Sequence, residues 1–155
     1  MKIIITGALG HIGSSLIRNI PIALADNEFV MIDSLLTQRY SSLFNLPNNN
    51  NYTFIHSDIF EINYSSLLND CRAVVHLAAI TDAERSVDRE EEVNHINFKG
   101  TEAIARECAK HKVPLIMIST TSVYGSQKNT VDEDCPQLYP QSPYALSKLK
   151  AEMLL

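Results

Sequence analysis

A tyrosine and a lysine stand four residues apart in Tyr144-Ala145-Leu146-Ser147-Lys148. On a helix this spacing sets both side chains on one face, one turn apart. A free phenol titrates at about 10. A nearby ammonium favours the phenolate and brings the group toward working pH as a proton carrier. The pattern alone is common on ordinary helices, where the tyrosine is a half-buried packing residue, so its meaning depends on its surroundings.

A second set is Gly7-Ala8-Leu9-Gly10-His11-Ile12-Gly13, which follows an apolar run and opens a helix-like segment. Gly7 permits a tight turn, Gly10 lets backbone approach a pyrophosphate, and Gly13 lets the helix pack close to the strand. The free N–H groups of the helix start then face the phosphates. Asp33, twenty residues beyond Gly13 and followed by Ser34, is placed to accept hydrogen bonds from a ribose diol. Its charge would repel a 2′-phosphate, which selects NAD over NADP. Arg39 is close enough in sequence to leave that preference open.

The elements that must hold these groups are readable from hydropathy. Five short apolar runs, Lys2–Thr6, Glu28–Ile32, Tyr52–His56, Ala73–Leu77 and Val113–Ser119, are rich in Ile and Val and mostly continuous. Continuous runs suit strands buried on both faces. Between the first two, Ile12, Leu16, Ile17 and Ile20 form one helical face that Pro21 ends. The longest helical candidate is Glu84–His111, with Val93, Ile96, Gly100, Ile104 and Cys108 as its stripe and a charged, solvated early part at Asp88–Glu92. Leu35–Asn51 is irregular, and Pro47 followed by four asparagines reads as an exposed turn. The rhythm predicts an α/β fold: a Rossmann-type doubly wound parallel sheet of strand order 3-2-1-4-5.

Composition sets the outer bounds. The 155 residues carry a formal charge of −5 with 45% hydrophobic and 20% charged residues. That is one folded domain's worth of chain, not a disordered one. The acidic balance argues against a nucleic-acid partner. No apolar run approaches the ~20 residues that cross a bilayer, and no signal-peptide pattern opens the chain. Cys71, Cys108 and Cys135 are widely spaced and odd in number, which predicts reduced thiols in a cytoplasmic protein. Neither the cysteines nor the five histidines have metal-ligand spacing, so no metal is expected.

Taken together, the motifs resemble those of the short-chain dehydrogenase/reductase superfamily. The Gly-x-x-Gly-x-x-Gly turn is similar to that of its extended branch, the NAD-dependent sugar-nucleotide epimerases and dehydratases (UDP-glucose 4-epimerase-like). Ser57-Asp58-Ile59 resembles the turn that holds adenine, and His76-Leu77-Ala78-Ala79 the stretch lining the cofactor. Asn97, ahead of Gly100-Thr101, matches the family's helix asparagine, and His11 sits where the family often has an aromatic residue. Ser119-Thr120-Thr121-Ser122-Val123-Tyr124-Gly125 and Ser142-Pro143-Tyr144 resemble the family's reactive segments. The resemblance implies catalytic roles for Thr120, Tyr144 and Lys148, with Ser119 and Thr121 as fallbacks for Thr120. It implies cofactor contacts from Gly7, Gly10, His11, Ile12, Gly13, Asp33, Ser34, Asp58, Ile59, Leu77, Ala78, Ala79, Asn97, Tyr144 and Lys148.

Two departures shape the expected reaction. Dehydratases of this family follow the threonine with Asp-Glu, whereas Thr121-Ser122 stands here, which turns the expectation toward epimerisation. Thr81 replaces a lysine that contacts cofactor phosphates in some epimerases. The resemblance implies a nucleoside diphosphate sugar substrate and members about twice this length. Residues 1–155 are therefore expected to be an incomplete NAD-binding domain lacking the carboxy-terminal substrate domain, with homodimer contacts through helices 84–111 and 142–155. The competing expectations are a dehydratase or reductase, a non-catalytic NAD-binding sensor or scaffold, and an interaction module whose glycine turn merely packs.

Overall fold

The five apolar runs are five strands: β1 (Lys2–Thr6), β2 (Glu28–Asp33), β3 (Asn51–His56), β4 (Cys71–His76) and β5 (Leu115–Met117). The computed structural model describes residues 1–48 and 50–155; Asn49, within the asparagine run read as an exposed turn, lies outside the described residues. The strands pair in parallel in the order 3-2-1-4-5, as the sequence predicts, with Ile4 opposite both Val30 and Val74. The fifth strand is shorter than Val113–Ser119, since Pro114 has no N–H to give to the ladder and the chain turns after Met117.

Residues 1–78 with 103–117 form one compact unit, and residues 79–102 with 118–155 a second. In the first unit the continuous apolar runs are explained by burial on both faces. Ile3, Ile5, Phe29 and Met31 enter one core with Leu9 and Ile17. Their neighbours Ile4, Val30, Ile32 and Val74 enter another with Ile104 and Cys108. Alternation across a strand thus feeds both cores, and no position needs to be polar. The helix α1 (His11–Arg18) follows β1 directly. Its predicted face is corrected at one end: Ile17 is buried and Leu16 and Ile20 are partly covered, but Ile12 is exposed. Ile12 lies in the first turn, beyond the reach of the sheet core. The short α2 (Tyr64–Leu67) begins at Asn63, whose side chain accepts from Ser66 N–H.

The second unit corrects the long-helix expectation. The segment after Glu84 first makes a turn, with Asp82 accepting from Arg85 N–H, and helical structure starts only at Val87. It then runs as α3 (Glu90–Val93), a π-helical segment Asn94–Lys99, and α4 (Gly100–His111). Asn97 is buried and Ile96 only half-buried: counted from Val93, the buried positions Asn97, Gly100, Ile104 and Cys108 follow i+4, i+7, i+11 and i+15 spacing. The helix α5 (Pro143–Leu154) starts where its signals predict. Ser142 is the N-cap, accepting from Ala145 N–H, and Pro143 occupies the first turn. Leu146, Met153 and Leu154 on α5 are exposed, and Leu149 is half-buried.

Candidate functional site

The glycine turn bridges β1 and α1, and its three glycines do different work. Gly7 has φ +64, and a Cβ there would lie 2.6 Å from Ala78 N. A Cβ on Gly13 would lie 2.4 Å from the Gly7 carbonyl oxygen and 2.6 Å from that of Ala8. Both glycines are demanded by the protein's own backbone packing. Gly10 is not: its Cβ would meet only the Gly7 carbonyl oxygen, at 3.3 Å, and its φ is −64. The surface in front of Gly10 is open, next to the unsatisfied N–H groups at the start of α1. His11 and Ile12 are exposed on that first turn, and Arg39 lies against the His11 ring, with Nη2 2.9 Å from Nε2.

Asp33 ends β2 and is tied to the same turn. Its Oδ2 accepts from Leu9 N–H at 3.0 Å and its Oδ1 from Leu35 N–H at 2.9 Å. Both carboxylate oxygens are therefore oriented by backbone, with the remaining lone pairs available for a ligand. Ser34 is exposed beside it. Past β3, Asp58 caps its own turn by accepting from Phe60 N–H at 2.9 Å, while Ile59 is buried in the core. At the end of β4, the buried Thr6 hydroxyl accepts from Ala78 N–H and meets His76 Nδ1 at 2.7 Å. Leu77 and Ala78 are half-buried at this edge, held by β1.

The second unit carries Ala79, Asn97, Thr120, Tyr144 and Lys148. Thr120 caps a 3-10 turn, Thr121–Tyr124; its Oγ1 accepts from Ser122 N–H and donates to Ser122 Oγ, both at 3.2 Å. The fallback residues separate: the Ser119 Oγ is buried, whereas Thr121 and Ser122 are exposed. Lys148 is only 6% exposed, and its Nζ donates to the Ile118 carbonyl at 2.9 Å. Burial lowers its pKa from the ordinary lysine value, and the charge of Glu152 opposes that shift in part. Tyr144 is half-buried one turn earlier on α5.

Sequence reasoning missed three contributors. The buried Ser86 hydroxyl accepts from Tyr144 N–H at 3.3 Å, Ser147 Oγ donates to the Tyr144 carbonyl at 2.7 Å, and the Ile118 carbonyl receives Lys148. Ser147 lies inside the Tyr-x-x-x-Lys motif and was its unused signal. Ser86 had none, being one serine in a charged stretch. Asn97 is also 1% exposed rather than a solvated helix residue: its Oδ1 accepts from Ile80 N–H, and its Nδ2 donates to the Ile80 carbonyl and to Ser147 Oγ. Among the described residues no group of three His, Cys, Asp or Glu side chains is placed to hold a metal ion. Nor is any helix among them long and apolar enough to cross a membrane.

The sequence model of the NAD dependent epimerase/dehydratase family matches residues 3–155. The UDP-glucose 4-epimerase of Mycolicibacterium smegmatis is 32% identical across 100% of this chain and 50% of its own length. A dTDP-glucose 4,6-dehydratase of Streptomyces antibioticus is 30% identical across 99% of this chain and 48% of its own. Among solved structures, the UDP-glucuronic acid 4-epimerase of Bacillus cereus, in complex with UDP-glucuronic acid and NAD, superposes with a TM-score of 0.86. It is 34% identical over 99% of this chain and 51% of that one. The chain spans about half the length of the curated relatives it matches.

Proposed function

The chain belongs to the NAD dependent epimerase/dehydratase family, and from that premise we propose that it is the NAD-binding part of a nucleotide-sugar 4-epimerase-type enzyme. The observation that carries this reading is Lys148. An ammonium that is 6% exposed, with the Ile118 carbonyl as its partner, is costly to the fold. One turn from Tyr144 it has a chemical reason, which is to favour the phenolate and to offer its other donors to a ribose.

The residues fit a dinucleotide. Gly10 is demanded far less by the protein's own packing than Gly7 or Gly13, its Cβ meeting one oxygen at 3.3 Å, which suits backbone that a phosphate must approach. Asp33 is oriented to accept from a ribose diol, and Asp58, Ile59, Leu77, Ala78 and Ala79 are assigned to the adenine and nicotinamide sides of the cofactor. When bound, NAD supplies the redox chemistry by taking and returning a hydride. Tyr144 removes the proton of a sugar hydroxyl, Thr120 hydrogen-bonds that oxygen and passes the proton toward Tyr144, and Lys148 keeps the phenol acidic. The keto-sugar so formed turns over and is reduced on its opposite face.

Relatives include both epimerases and dehydratases. Thr121 and Ser122 offer no carboxyl pair to carry water elimination, which favours epimerisation. Retention of both Tyr144 and Lys148 favours the enzyme over a sensor without chemistry. The substrate is a nucleoside diphosphate sugar, as the names of the relatives suggest. Homodimerisation through helices 84–111 and 142–155 completes the reading, with Leu146, Met153 and Leu154 exposed on the second; a clean monomer in concentrated sedimentation runs would remove it.

The test is calorimetry of this chain with NAD and NADP, followed by assay of a polypeptide extended to the relatives' length. NAD is expected to bind in preference to NADP. Tyr144→Phe in the extended protein is expected to lower turnover by about 10²–10⁴-fold while NAD binding is kept. Near-native turnover in that variant would take Tyr144 out of the reaction.

A further inference from the structure

The chain between β2 and β3 is irregular, yet one part of it is tied to the glycine turn and to α1 at several points. Ser42, in the 3-10 turn Tyr40–Leu43, donates its hydroxyl to the Leu9 carbonyl at 3.0 Å. Leu9 is thereby held on both sides, its N–H by Asp33 and its carbonyl by Ser42. The carbonyls of Ser42 and Phe44 accept from Arg18 Nη2 at 2.9 and 3.1 Å. Arg18 Nη1 donates to the Ser14 carbonyl of its own helix at 2.9 Å. Residues 39–44 are thus a strap fastened across the start of α1.

Arg39 is the N-cap residue of that 3-10 turn, and the strap delivers its guanidinium to His11, the residue directly after Gly10. Nη1 lies 3.3 Å from Nδ1 and Nη2 2.9 Å from Nε2. The in-plane directions of the two ring nitrogens diverge, so a guanidinium that meets both lies against the ring face. A ring face attracts a cation without neutralising it. Among the described residues the Arg39 side chain bonds to His11 and to no carboxylate. Its charge therefore stands uncompensated beside the open N–H groups of α1, where the helix start is itself positive. Both features call for an anion. Two phosphate positions of a dinucleotide compete for it, the pyrophosphate and the 2′-phosphate of NADP. Asp33, fixed by Leu9 and Leu35 N–H, puts negative charge at the ribose. Arg39 rests instead on the first residue of α1, beside Gly10.

We propose that Arg39 is a pyrophosphate ligand, a side-chain donor that the strap adds to the backbone cradle of the glycine turn, and that it does not discriminate NAD from NADP. The assignment rests on the reading of the turn as a dinucleotide site. A guanidinium meets phosphate oxygens through paired N–H groups, so a lysine in its place keeps the charge but loses the fork.

The experiment titrates the 155-residue chain, Arg39→Met and Arg39→Lys with NAD and with NADP in a calorimeter. Arg39→Met is expected to weaken NAD binding by about tenfold, the size of one charge-assisted hydrogen bond, and NADP binding by the same factor. Arg39→Lys is expected to fall between it and the wild type. NAD carries no 2′-phosphate, so its loss decides even where NADP binds too weakly to be read. If Arg39→Met does not fold, Arg39→Lys decides by the same comparison. A loss confined to NADP makes Arg39 a 2′-phosphate residue and overturns the proposal, as does an Arg39→Met protein that keeps both affinities. A wild-type chain that binds neither dinucleotide removes the cofactor reading instead, and inorganic pyrophosphate then decides this one. His11 ring resonances that move on its addition to the wild type and stay in place in Arg39→Met uphold the ligand role; any other pattern overturns it.

Discussion

The glycine turn and the Tyr144 helix are built by opposite means. The turn is made from seven consecutive residues and one carboxylate, and nearly everything it offers a ligand is backbone. Its two packing glycines are needed because main-chain atoms come within 2.4–2.6 Å of where a Cβ would be. On the helix, the Lys148 and Ser147 side chains and the Tyr144 N–H are held by partners 30 to 58 residues away, Ile118, Asn97 and Ser86. The difference teaches that a site which only has to cradle phosphates can be encoded locally. A site that moves protons must fix a side chain's orientation, and that takes contacts from several elements.

The largest effect that would break this comparison is expected at Gly13. Gly13→Ala forces a methyl into two backbone oxygens, and a loss of about 3 kcal/mol of stability in urea unfolding is expected. Gly10→Ala next to it is the sharper test. Its Cβ meets one oxygen at 3.3 Å, so stability should change by no more than about 1 kcal/mol, while calorimetry should find NAD binding about tenfold weaker. Equal losses of stability in the two variants would mean that the turn's glycines are all structural.

Asp33→Asn follows. It keeps one acceptor oxygen but leaves either Leu9 or Leu35 N–H without its partner, for a loss of about 1–2 kcal/mol. It should also narrow the preference for NAD over NADP. Unchanged discrimination in paired titrations would take Asp33 out of cofactor selection.

On the helix side, Lys148→Met is expected to leave stability unchanged or raise it by about 1 kcal/mol, since it removes a buried charge, while NAD binding weakens. The pH dependence gives the sign independently. The folded-state pKa of Lys148 lies below its ordinary 10.5, so in the window beneath 10.5 the unfolded chain binds more protons and stability gains as pH rises. The gain should be absent in Lys148→Met. Cys108 acts the other way: burial pushes its thiol from 9.0 up to about 11. The folded chain keeps a proton that the unfolded one has lost, and stability falls as pH rises from 9 toward 11. Cys108→Ala should flatten that fall, and urea midpoints taken from pH 7 to 11 measure both.

How much of this was open to reading without coordinates follows the same division. The strands were legible because burial on both faces leaves only apolar residues, as at Ile3–Ile5 and Phe29–Ile32. The start of α5 was legible because Ser142 and Pro143 are local signals. Ile12 was misassigned to the core since helical periodicity says which residues share a face but not how far the neighbouring sheet extends. The helix 84–111 was read as continuous because a π turn has no local signature in the residues, and Asn97 was read as solvated because its type suggests water even where its spacing from Val93 suggests the core.

From its own residues the chain determined a parallel sheet of order 3-2-1-4-5 and a phosphate-type glycine turn with a carboxylate beyond it. Such features depend on backbone freedom and hydropathy within a few neighbouring positions. Tertiary structure alone decided which polar groups are buried and which way their hydrogens point. Asn97, Ser86, Ser147 and Lys148 are ordinary surface types by composition, and each acquires its role only when burial removes water and leaves one specific partner for every donor.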